Sequence, residues 1–198
     1  MSTGENTTTA YQKKIFEDFP NSGKLSIIPA FLSPTECERL LKYGQEDKLK
    51  IGVVNRTNDI NYSVRKNKVR FLKAEKHSEL AWFFERVEKV VQAFNVAHAL
   101  PSLKGLQSNQ VQLSKYGKED FYAWHQDCSP SIKRQLTFSI QLSPPEAYQE
   151  GHLQLFTPKG TFVVTKAIGT LSIFTSSTCH RVTPIAAGVR HSLVGWFM

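Results

Sequence analysis

The chain has 198 residues, 40% of them hydrophobic and 21% charged, with a formal net charge of +8. That length suits one domain with a substantial core. No apolar run approaches the ~20 residues of a membrane-spanning helix, so no membrane span is expected. The three cysteines, Cys37, Cys128 and Cys179, fit a reducing cytosol better than a disulfide framework. The positive excess is shared by the two halves, with one local concentration at Arg65, Lys66, Lys68, Arg70, Lys73 and Lys76. Such a run reads either as a solvated basic edge or as an attraction for anionic partners, nucleic acid or acidic polypeptide among them.

Residues 1–24 read as a flexible polar lead without an apolar signal core. Leu25 to Ala30 is a short apolar strand. Ser33, Pro34 and Glu36 then announce a helix, because Ser33 can cap, Pro34 suits the first turn and Glu36 completes a capping box. Cys37, Leu40 and Leu41 follow at helical spacing. Residues 47–68 are polar and irregular, a long loop with at most a short strand, and 69–72 is a further strand. A second helix is expected from near Ser78, with Leu80, Phe83, Phe84, Val87, Val90, Val91 and Phe94 as one apolar stripe packed on a sheet. Beyond residue 109 the pattern changes to about eight short strands, 110–116, 121–127, 135–142, 152–156, 161–166, 169–174, 180–184 and 189–197, separated by Gly and Pro breaks. Helices followed by many short strands predict a mainly β fold with flanking helices. The expected core is a double-stranded β-helix, the cupin-like jelly roll, at about 110–198, with the N-terminal helices packed on one of its sheets.

The chemistry centres on Tyr116 to Asp127, which ends in His125-Gln126-Asp127. Residues i and i+2 of an extended segment share a face, so an imidazole and a carboxylate can lie side by side. Two such groups and one more histidine make a facial triad that holds Fe(II) and leaves positions open. His180 is the candidate third ligand. Arg190 and Ser192 alternate onto one face of the last strand, a suitable cradle for a carboxylate. Gln112, Ser114 and Tyr116 share one strand face and Thr137, Ser139 and Gln141 another, which suggests a lined pocket rather than a dry core.

The segments QLSKYGKEDFYAWHQD, RQLTFSIQLSPPEAYQEGHLQLF, IGTLSIF and HRVTPIAAGVRHSLVGWF resemble the 2-oxoglutarate and Fe(II)-dependent dioxygenases of the prolyl 4-hydroxylase and procollagen-lysyl-hydroxylase-domain (PKHD) type, in their compact bacterial or phage form. IIPAFLSPTECERLL and VRKNKVRFL also resemble the family, so the likeness extends over most of 25–198. It implies a single dioxygenase domain there, with His125, Asp127 and His180 on iron. Arg190, Ser192 and Tyr116 would lie on the distal carboxylate of 2-oxoglutarate. It further implies O2 as oxidant, succinate and CO2 as co-products, and L-ascorbate as reductant. The substrate side of the pocket is expected at Tyr122, Trp124, Thr137, Gln141 and His152. The chain departs from the family where His152 follows Gly151 in place of a second glycine, at Gln141, and at Asn67 in place of a common Ser. These differences bear on the substrate, not the reaction class.

A peptidyl prolyl residue is the expected substrate, before a lysyl one, in the cytoplasm (the host's, for a phage protein). The same chemistry on a free amino acid, another small molecule or nucleic acid is an alternative, although the Arg-rich ending usual in nucleic-acid oxygenases is absent. A non-catalytic jelly-roll binding module is the other. Oligomeric state is not legible.

Overall fold

The computed structural model describes residues 23–53 and 60–198. The expected lead over 1–24 lies almost wholly outside the described residues, as does part of the loop at 47–68. The strands are β1 (Leu25–Ile28), β2 (Lys50–Ile51), β3 (Arg65–Lys66), β4 (Lys68–Lys73), β5 (Gln110–Tyr116), β6 (Phe121–His125) and β7 (Leu136–Gln141). They continue with β8 (Tyr148–Glu150), β9 (Leu153–Thr157), β10 (Gly160–Val163), β11 (Leu171–Thr175), β12 (His180–Val182), β13 (Ile185–Gly188) and β14 (Arg190–Phe197). The α-helices are α1 (Pro34–Leu41) and α2 (Ala81–Ala97).

Two antiparallel sheets face each other. The larger has the order β1-β11-β7-β14-β5-β4-β2 and the smaller β10-β9-β12-β6-β3, with β13 and β8 paired apart from both. This is the jelly roll, with α1 and α2 on the outer face of the larger sheet. Helix burial follows the stripe: Leu40, Phe83, Val87 and Val91 pack into one core with Leu113, Phe138, Ile140, Ile173 and Leu193. α1 begins as expected, with Glu36 N–H donating to Ser33 Oγ and Ser33 N–H to a Glu36 carboxylate oxygen, at 3.2 and 2.9 Å. Arg86 of α2 grips that same carboxylate with two bonds of 2.8 and 3.0 Å, which ties the helices together.

β7 shows how the sheet is used on both faces. All six of its residues are buried. Leu136, Phe138 and Ile140 point to the helices, while Thr137, Ser139 and Gln141 point between the sheets, as a period of two requires.

Several boundaries differ from expectation. Ten strands, not eight, lie between 110 and 197. The segment expected at 180–184 ends at Val182, because Pro184 has no N–H to continue the ladder, and a new strand starts at Ile185 to pair with Tyr148–Glu150. The strand expected at 161–166 stops at Val163, and that expected at 121–127 stops at His125. Helix α2 starts at Ala81, after a separate 3-10 turn over Ser78–Leu80.

Candidate metal and cosubstrate site

His125 is the last residue of β6 and His180 the first of β12, and the ladder sets them directly opposite each other. Their ring centroids are 4.2 Å apart. Asp127 lies just past the strand end, held by its N–H to the Ser176 carbonyl at 2.9 Å. One ligand atom from each of the three lies within 4.8 Å of the others. His125 Nε2 is 3.8 Å from Asp127 Oδ1 and His180 Nε2 is 3.5 Å from Oδ2.

The donor set fits a metal. The Nδ1 atoms of His125 and His180 lie 2.8 and 2.9 Å from the carbonyls of Ala123 and Thr178. A carbonyl only accepts, so each Nδ1 carries a proton and donates it, and each Nε2 is turned towards Asp127. Burial, reinforced by His180, pushes His125 down to about 3, which keeps that ring neutral. Burial alone would raise the Asp127 carboxyl. His180, His125 and Arg134 outweigh it and hold the group below its ordinary value, as a carboxylate. Thr137 Oγ1 donates to Asp127 Oδ2 at 2.9 Å and fixes its rotation. Tyr122 stacks on His125 at 3.5 Å, and the Arg65 guanidinium lies over Tyr122 at 4.6 Å.

A cavity of about 450 Å³ opens from these three residues between the sheets. Arg190 lies in its wall, 3% exposed, on β14 opposite Tyr116. It donates to Ser192 Oγ at 3.3 Å, and its Nε is buried without a hydrogen-bond partner. Among the described residues no carboxylate stands within ion-pair distance of it. A buried guanidinium with only neutral neighbours is costly unless an anion completes it.

Of the residues expected to face substrate, Tyr122 and Thr137 line the cavity. Trp124, Gln141 and His152 do not. A β-bulge in the β6–β12 ladder accounts for Trp124: the register shifts between His180↔His125 and Val182↔Tyr122. Tyr122 and His125, three apart, therefore both face inward, and Trp124 turns out against Phe156 and Arg181. Gln141 donates to the Tyr148 hydroxyl and the Ser143 carbonyl instead. His152 faces Glu150 at 3.5 Å, away from the mouth.

Sequence reasoning passed over Arg65 and Arg134 as site residues, and both line the cavity. Arg65 was read as part of the basic run. Four others of that run are engaged locally: Lys66 with Glu119 and Asp120, Lys68 with Glu46, Lys73 with Glu75, and Arg70 with the Tyr43 carbonyl. The available sign was alternation, since Arg65 and Asn67 share a face, and both are buried.

The 2OG-Fe(II) oxygenase superfamily model matches residues 111–198. A PKHD-type hydroxylase of Parvibaculum lavamentivorans is 37% identical over 90 residues, covering 44% of this chain and 41% of that one. One of Hyphomonas neptunium is 36% identical over 90 residues, covering 42% and 40%. The chain thus spans about two-fifths of the length of these curated relatives. A Pseudomonas putida prolyl-4-hydroxylase has a similar fold, with TM-score 0.72, 20% identity and coverage of 94% and 97%. So does a Trichoplax adhaerens prolyl hydroxylase in complex with a hypoxia inducible factor peptide fragment, with TM-score 0.73, 17% identity and coverage of 100% and 94%. The matched segment carries all three residues of the His–Asp–His cluster on a jelly roll, and in that segment the chain is similar to the 2OG-Fe(II) oxygenase superfamily and to PKHD-type hydroxylases.

Proposed function

We propose that this chain is a 2-oxoglutarate-dependent dioxygenase, with residues 25–198 as its catalytic domain, that hydroxylates a prolyl residue of a cytoplasmic polypeptide, or failing that a lysyl one. The observation that carries this is the pairing within one cavity of a His–Asp–His cluster with a buried guanidinium that lacks an anion. His125, Asp127 and His180 would hold Fe(II). Arg190, with Ser192 and Tyr116 beside it, would take the distal carboxylate of the cosubstrate through the bidentate fork that a guanidinium offers. Bound iron, 2-oxoglutarate and O2 supply the chemistry that converts C–H to C–OH with release of succinate and CO2. The chain's own part is positional: Thr137 orients Asp127, the backbone carbonyls orient both imidazoles, and Tyr122 under Arg65 covers the His125 ring from water. L-ascorbate would serve as reductant. The peptide-bound Trichoplax neighbour and the open cavity support a polypeptide substrate.

Calorimetric binding of 2-oxoglutarate with Mn(II) in place of iron tests this reading. Arg190→Ala should lose two to three and a half decades of affinity, the equivalent of the roughly 3–5 kcal/mol of a broken buried pair. Arg190→Lys keeps the charge without the fork and should lose less. A folded Arg190→Ala chain that binds within about threefold of wild type, under 1 kcal/mol, refutes the assignment.

A further inference from the structure

Positive charge in the cavity is out of balance. Among side chains, its described lining carries four cations, Arg65, Lys133, Arg134 and Arg190, against the one carboxylate of Asp127, a side-chain balance of +3. A dipositive ion and a dianionic cosubstrate cancel each other, so the loaded site keeps that excess. Lys133 is exposed at the mouth, where solvent screens it. Arg190 is accounted for by the cosubstrate. Arg65 and Arg134 are not accounted for.

Both are held rigidly. Arg65 is 7% exposed, donates from Nε to Asn67 Oδ1 at 2.8 Å and from Nη1 to the Val53 carbonyl at 3.1 Å, and has a buried Nη2 without a partner. Arg134 donates from Nε to Gln107 Oε1 at 2.6 Å and lies 3.8 Å over the Trp196 ring. Its nearest recorded carboxylate is Asp127 at 3.9 Å, which a bound metal would claim. Two cations thus line one cavity with hydrogen bonds only to neutral acceptors, an arrangement that a bound anion completes. Lys66, Lys68 and Lys73 of the basic run, by contrast, already face acidic partners outside the cavity.

We propose that Arg65 and Arg134 form an anion subsite on the substrate side of the cavity, and that the substrate enters with a carboxylate beside the C–H bond to be oxidised. The proposal rests on the cofactor reading above. An acidic side chain next to the reacting residue and the free carboxylate of a chain end or small acid present the same chemistry. Each is read planar and bidentate by guanidinium forks fixed in advance.

The test uses the full chain with Mn(II) and 2-oxoglutarate, and reads the paramagnetic relaxation of the methyl protons of acetate and of acetamide. Calorimetry first establishes loading. A chain that takes up neither ion nor cosubstrate fails at the cofactor reading and takes the subsite with it, whereas a loaded chain tests the subsite alone. Acetate should be relaxed saturably and about tenfold more than acetamide. The excess should vanish in Arg65→Gln and Arg134→Gln and partly return in Arg65→Lys and Arg134→Lys, with far-UV circular dichroism reporting the fold of each. An acetate excess that survives both glutamine variants marks direct coordination to the ion and overturns the proposal, as does equal relaxation of the two probes. Displacement of acetate by an amidated glutamyl-prolyl peptide assigns the carboxylate to a side chain. Displacement only by peptides or amino acids with a free carboxylate assigns it to a chain end or small acid. Equal displacement by the neutral amidated glutaminyl-prolyl peptide also overturns it.

Discussion

Thr137 makes the sharpest single-residue case after Arg190. Its hydroxyl donates to Asp127 Oδ2 and lies 2.9 Å from Ser176 Oγ. Thr137→Val keeps the shape and removes the donor, so Asp127 turns more freely while the jelly roll stays folded. Groups that orient a ligand typically contribute about 10–100-fold to metal affinity. A Mn(II) titration followed by electron paramagnetic resonance should show a loss of that size, against abolition in Asp127→Ala. A second residue acts through pH. Burial, with Lys115 and Arg190 nearby, pushes His191 down to about 4. The unfolded chain protonates this ring near pH 6.5 and the folded one does not, so its contribution is full above pH 6.5 and is lost as pH falls towards 4. It amounts to at most about 3 kcal/mol. Urea midpoints at pH 7.5 and 4.5 should therefore fall further for wild type than for His191→Gln, the difference isolating this one group from other titrations.

At the scale of elements, the turn into β14 sets where Arg190 stands. Gly188 has φ +78°, and a Cβ there would lie 2.1 Å from the Ala147 carbonyl oxygen. Gly188→Ala faces both a strained backbone and a clash, at a cost of roughly 1–3 kcal/mol from the strained dihedral alone. Because Arg190 is two residues on, 2-oxoglutarate affinity should weaken together with thermal stability. A variant that loses stability and keeps full affinity would show that the turn does not place the guanidinium. Here sequence reading reached far: the capping box of α1, the apolar stripe of α2, the Gly188 turn, and the alternation that brings Gln112, Thr137 and Ser192 to one space are all local patterns. It failed where placement depends on a partner strand. The bulge that turns Trp124 outward exists only as a register shift against β12, and period-two counting along β6 cannot register it. The β8–β13 pair is short and flanked by prolines, so neither strand is long enough to show a period. Arg65 was hidden by its neighbours, since a run of basic residues looks uniform until one member turns inward.

For the whole molecule, stability rests on the helices against the larger sheet. Phe83 is fully buried there, and Phe83→Ala should cost about 3–5 kcal/mol. Chemical denaturation should report that loss while 2-oxoglutarate affinity of the folded fraction stays unchanged, because the helix layer and the cavity lie on opposite faces of one sheet. That separation has a consequence for how such a protein can change over generations. Along β7 the even-numbered side chains belong to the core and the odd-numbered ones face the space between the sheets. Selection for a new substrate can therefore draw on odd positions, and selection for heat tolerance on even ones, with little trade between the two. A library randomised at Ser139 should yield variants of altered substrate preference at nearly constant melting temperature, whereas one at Ile140 should scatter melting temperatures and leave preference in place.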